Sequence, residues 1–172
     1  MGLRFTFFVP GDRLAQIDVG LAALGNAVVD LRPAWARIHP QLLQVEREQF
    51  STEGRRGSGG WAPLRPKYAA RKVKRWGPRP ILQASGRMHR ALTAEGGDHV
   101  AVSLPLELRF GVRDESVPYA KWHQSGYRLR GGSRVPPRKP IELTVNDRQR
   151  IVSTITETVR DAVIKARRGA RK

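Results

Sequence analysis

The sequence predicts an α+β fold: a small antiparallel sheet packed with a long N-terminal helical element and a C-terminal helix. Three observations carry this. Leu3–Val9, His99–Leu104 and Leu106–Val112 alternate apolar and other residues with the period of a strand. A stripe from Leu14 to Val45 repeats at steps of three and four. A second stripe, Ile151, Ile155, Val159, Ala162 and Ala166, closes the chain.

In the first strand Leu3, Phe5 and Phe7 alternate with Arg4 and Thr6, and Pro10 and Gly11 end it. The long stripe then runs through Leu14, Ile17, Leu21, Leu24, Val28, Leu31, Trp35, Ile38, Leu42 and Val45. Pro33 and Pro40 interrupt it, each removing a helical hydrogen bond. Both precede a stripe position by two residues, which puts them on the outer face. One bent helix and a two-helix unit both fit. A helix lying on its own domain fits the prolines better than a coiled-coil seam does.

The glycines, serines and arginines of STEGRRGSGG predict a mobile loop. Pro66–Trp76 reads as a short basic helix with Tyr68, Val73 and Trp76 as its apolar residues. GPRP stops it. Another short helix is expected near Ser85, a candidate N-cap, with Ile81, Leu82, Met88 and Leu92 facing inward. Pro105 marks a tight turn between the two middle strands. RLRGGSRVPPRKP is a second loop, and the last helix starts near Asn146 or Asp147. With 172 residues, one domain over residues 1–165 is expected, with mobile loops near 51–60 and 127–137 and a basic tail at 166–172.

The net charge of +17 points to polyanionic partners: nucleic acid, acidic protein or an anionic membrane face. It is distributed unevenly, with no acid from Arg55 to Ala94 or from Ser116 to Pro140. No apolar run reaches the ~20 residues of a membrane span, so no membrane partner is expected. Without cysteine there are no disulfides or thiolate metal sites. His39, His89, His99 and His123 lack helical metal-ligand spacing. Neither a P-loop ending nor a G-x-S-x-G elbow occurs. We therefore expect no catalytic, metal or cofactor-binding residue, and no enzyme.

YAKWHQSGY, from Tyr119 to Tyr127, gathers the most chemistry in one place. Taken alone, His123 reads as a hydrogen-bonded structural histidine rather than a catalyst. Basic residues interleaved with Trp61, Tyr68 and Trp76 also suit a single-strand nucleic-acid binder.

An ordered series of residues runs through these elements. Phe50 ends a helix, and Trp61 and Leu64 follow a glycine-rich loop. Lys72 falls in a basic helix, followed by Ile81, Leu82, Ser85, Gly86, Arg87, Met88 and Leu92. Next come Tyr119, Ala120, His123, Gln124 and Gly126, and then Val135, Pro136 and Arg138. This series, spanning roughly residues 42 to 165, resembles the virion morphogenesis, or tail-completion, family of tailed phages. Lys139 and Pro140 depart from it, standing where the family usually has Pro and Phe.

The resemblance implies a non-enzymatic neck subunit of the virion, made in the host cytoplasm. It would form a homo-oligomeric ring between the head connector or head-completion protein and the tail terminator or tube, with DNA in the lumen as a further partner. Tyr119, Trp122, His123, Gln124, Gly126, Gly86, Arg87 and Arg138 would be structural. His123 and Gln124 would tie a short helix to a loop, Gly126 would allow a chain reversal, and Tyr119 and Trp122 would pack inward. Arg55, Arg56, Lys67, Arg71, Lys72, Lys74, Arg128, Arg130 and Arg134 are the candidates for an interface or for facing DNA. The alternative is a non-specific nucleic-acid-binding protein using the basic loops and tail.

Overall fold

The structure, a computed structural model, describes residues 4–8, 25, 30–57, 59–93 and 97–169. Leu14, Ile17, Leu21, Leu24 and Val28 of the long stripe lie outside them, as do Leu3, Val9 and the tail beyond Gly169. The elements run β1 (Arg4–Phe8), α1 (Arg32–Ser51), α2 (Pro66–Trp76), α3 (Arg87–Thr93), β2 (His99–Leu104), β3 (Glu107–Val112), α4 (Ala120–Ser125), β4 (Tyr127–Arg128), β5 (Arg134–Val135) and α5 (Val145–Gly169). The fold is α+β, as expected.

The described residues fall into two compact units. One comprises 5–8, 25, 30–41, 101–110 and 145–169. Its sheet has the order β1–β3–β2, and the two-residue turn at Pro105–Leu106 makes β2 and β3 a hairpin. Leu108 and Phe110 of β3 are buried, whereas Val102 and Leu104 of β2, an edge strand, are exposed. Alternation therefore located β2 but not a covered face for it.

In the same unit, α1 opens at Asp30, whose carboxylate accepts the Arg32 N–H at 3.0 Å and pairs with the Arg32 guanidinium. Pro33 sits in the first turn, where no N–H is needed, and Pro40 lies inside the helix; both are exposed, as expected. Trp35 is fully buried and donates its indole N–H to the Leu104 carbonyl at 2.9 Å. Gln41 donates to Thr154 of α5 at 3.0 Å, and Arg37 pairs with Glu157 at 2.9 Å. Ile151 of α5 is buried, as is Asp147 in its first turn.

The other unit comprises 42–57, 59–93, 97–100 and 111–144, together with Arg4. Here the end of α1 buries Leu42, Leu43, Val45, Glu46, Gln49 and Phe50. The chain leaves the helix through Glu53 and Gly54, both with positive φ. A Cβ on Gly54 would lie 2.5 Å from the Trp61 ring, so glycine is needed for Trp61 to pack there. Phe50 meets Trp61 and His89 edge-on, at centroid distances of 5.3 and 5.0 Å.

Pro66 begins α2 and Gly77 caps it, its N–H donating to the Val73 carbonyl at 2.8 Å. α3 starts two residues after Ser85, whose hydroxyl accepts the Arg87 N–H at 3.3 Å. Met88 and Leu92 are buried as expected, while Ile81 and Leu82 are only partly covered. One feature was not anticipated: the segment after Gly126 forms a small hairpin, with Tyr127 opposite Val135 and Arg128 opposite Arg134.

Candidate functional site

The Tyr119–Tyr127 stretch forms α4 and the turn into β4. Gln124 donates its amide N–H to the Ile141 carbonyl at 2.8 Å and accepts the Ile141 N–H at 3.3 Å. The His123 carbonyl accepts the Arg138 backbone N–H at 2.8 Å. Arg138, 5 % exposed, sends its guanidinium to the carbonyls of Ala62 at 2.7 Å and Pro63 at 2.9 Å. This planar fork joins the segment after Trp61 to the segment after the hairpin. Gly126 has φ 73°, and a Cβ there would lie 2.8 Å from the Val135 carbonyl oxygen. The reversal at Gly126 therefore depends on glycine.

The helix is thus tied to its neighbours by the Gln124 side chain and the His123 backbone. The His123 ring takes no part in the tie, contrary to expectation: its buried Nδ1 has no hydrogen-bond partner among the described residues. It packs edge-on between Tyr119 and Tyr127, at 6.1 and 6.4 Å. Burial, and then the nearby Arg138 charge, push its pKa down to about 4. Trp122 also departs from expectation, being 49 % exposed and resting near Tyr127 at 6.2 Å. The phase of α4 explains this. Ala120 is the buried residue, His123 and Gln124 follow it at i+3 and i+4, and Trp122 falls on the other side.

Beside this assembly lies a cleft of about 520 Å³. Tyr68 and Trp76 of α2, Leu82, Tyr119, Tyr127 and Val135 supply its apolar lining. Its charged lining among the described residues is Arg65, Arg71, Lys72 and Arg138, with no carboxylate. The fold has brought the two acid-free spans of the sequence around one cavity. Arg65 donates to the Arg134 carbonyl at 3.1 Å, connecting the start of α2 to the hairpin. Arg71 lies over the Tyr68 ring at 5.6 Å and Arg75 over Trp76 at 4.7 Å.

Arg55, Lys67, Arg71, Lys74, Arg128, Arg130 and Arg134 are exposed. Lys72 is not: it is 3 % exposed, and its ammonium donates to the carbonyls of Arg79 and, at 2.6 Å, Pro80. Burial lowers its pKa. It is a structural strut for the turn after α2, which removes it from the surface candidates. Arg56 is also withdrawn, with a side chain 13 % exposed that reaches Glu48 and the Glu142 carbonyl. Arg87 pairs with Asp98 at 2.8 Å, and Gly86 before it has φ 74°.

Sequence reasoning passed over Glu53, whose carboxylate accepts the Ile81 N–H at 2.7 Å. It also missed the Lys139 carbonyl, which accepts from Gln49 at 2.9 Å and from the Trp61 indole at 3.0 Å. Backbone acceptors leave no residue-type signal. No group of three or more His, Asp or Glu residues is placed to hold a metal among the described residues. No helix among them is long and apolar enough to cross a membrane.

A protein whose most distinctive polar groups clamp backbone segments, under a strongly cationic surface, suits assembly with other molecules. The chain belongs to the phage virion morphogenesis family, whose profile matches residues 12–160. Membership makes it a structural, assembly-associated component of a virion. No curated protein and no solved structure matches the chain.

Proposed function

We propose that this chain is a tail-completion subunit that forms a ring at the neck and joins the tail to the head connector. The family match over residues 12–160 is the observation that carries the reading. The geometry is in keeping with it, because Gln124 and Arg138 are committed to backbone carbonyls. Copies of the chain meet head-to-tail in a closed ring. The exposed cations Arg55, Lys67, Lys74, Arg128 and Arg130 face either acidic surfaces of adjacent rings or DNA in the lumen.

The test is to disrupt the gene and examine the particles by electron microscopy. Filled heads and finished tails should accumulate unjoined, and supplying the chain should join them. Joined particles in its absence would overturn the reading. Affinity of the purified chain for duplex DNA, measured against salt, separates the two roles of the charge. Lumenal phosphate contacts give a log–log slope of about −0.9 per contact.

A further inference from the structure

We propose that the cleft beside α2 and the β4–β5 hairpin receives a short acidic segment of a neighbouring virion protein, with one aromatic or aliphatic side chain inserted. The inference names a partner for the assembly reading and rests on it.

Charge complementarity identifies the occupant. Among the described residues every charged side chain lining the cleft is cationic, and both spans that build it lack acids. Three of those cations are already engaged: Arg65, Lys72 and Arg138 hold carbonyl groups. Arg71 is exposed at the rim and available to carboxylates. The lining is aliphatic and prolyl as well as aromatic, including Pro63, Leu64, Leu129 and Pro136. Tyr68 and Leu129 are 40 % and 43 % exposed, so an apolar group entering there removes further surface from water.

A peptide fits these features better than a nucleobase does. Base stacking needs open aromatic faces. Here Arg71 and Arg75 already lie over Tyr68 and Trp76, and Tyr119 and Tyr127 meet His123 edge-on.

The test uses the full purified chain and an array of short peptides. Each peptide carries one aromatic or aliphatic residue flanked by Asp and Glu. Controls are the same peptides with Asn and Gln in place of the acids, and an oligo-dT strand. Arg71→Glu alters the rim and Tyr68→Ser the apolar lining. Arg160→Glu makes the same charge change on an exposed residue of α5. The expected result is binding of acidic peptides, weakened about tenfold or more by amide replacement, by Arg71→Glu and by Tyr68→Ser, with melting temperature and the effect of Arg160→Glu both near baseline.

Equal loss in Arg160→Glu would reduce the effect to diffuse attraction and overturn the proposal. So would the absence of any binding peptide, or oligo-dT binding that depends on Arg71 and Tyr68. Head–tail joining is scored separately. Joining by a chain that binds no peptide sinks the cleft proposal alone, whereas joining without the chain sinks the assembly reading whatever the peptides do.

Discussion

Gln124 and Ile141 exchange two hydrogen bonds, side-chain amide to backbone, at 2.8 and 3.3 Å. Gln124 imitates a strand partner for a segment that has none in the sheet. Gln124→Glu keeps the shape but replaces the donor with a carboxylate facing the Ile141 carbonyl. It should destabilise the chain by about 1–3 kcal/mol at pH 7. The deficit relative to the parent should shrink at pH 4.5, as the carboxyl regains a proton to donate. Gln124→Leu should show no such recovery, and urea unfolding at both pH values checks the pair.

Lys72 inverts the usual expectation for a lysine in a basic helix. Lys72→Gln should cost about 1–3 kcal/mol, because the Arg79 and Pro80 carbonyls lose their shared donor. Lys67→Gln and Lys74→Gln, at exposed positions of the same helix, should stay within about 0.5 kcal/mol. Thermal melts of the three variants distinguish a strut from surface charge.

His123 makes stability depend on pH. Its pKa falls from 6.5 to about 4 on folding, so between those values the unfolded chain holds a proton that the folded chain lacks. Stability should therefore fall as pH drops through this window, by on the order of 3 kcal/mol from this residue, and level off below it. His89, whose pKa is also lowered by burial, adds in the same direction. His123→Phe should flatten the profile measured by urea unfolding between pH 7 and 4.

Gly126→Ala should be among the most damaging single-methyl changes. The added Cβ meets the Val135 carbonyl oxygen at 2.8 Å, at a backbone φ of 73°. A loss of about 2 kcal/mol or more is expected. Gly131→Ala has open space around its Cβ and no positive φ, and should be near neutral when the two variants are compared by calorimetry.

Elements repeating over several turns or alternations were legible in the sequence. The stripe through Trp35, Ile38, Leu42 and Val45 is buried along α1, with Leu31 buried just before it, and β3 hides Leu108 and Phe110. The β4–β5 hairpin was not legible, because strands of two residues are too short to show a period. Trp122 was misjudged because the phase of α4 is set by one buried alanine rather than by its largest residue. Lys72 could not be read as buried, since its partners are carbonyls of a turn whose course is fixed by Gly77 and the prolines after it. The site was legible through the order of its residues, but the convergence of the two acid-free spans on one cleft is a tertiary fact.

The enclosure of Lys72 has a use at the bench. An amine-reactive reagent reaches Lys67 and Lys74 on the same helix, but the folded chain keeps the Lys72 ammonium out of its reach. Modification of Lys72 thus requires the turn at 77–80 to swing open. Peptide mapping after brief acylation, with Lys67 and Lys74 as internal standards, makes that one amine a clock for local opening of the chain, in solution or inside a finished particle.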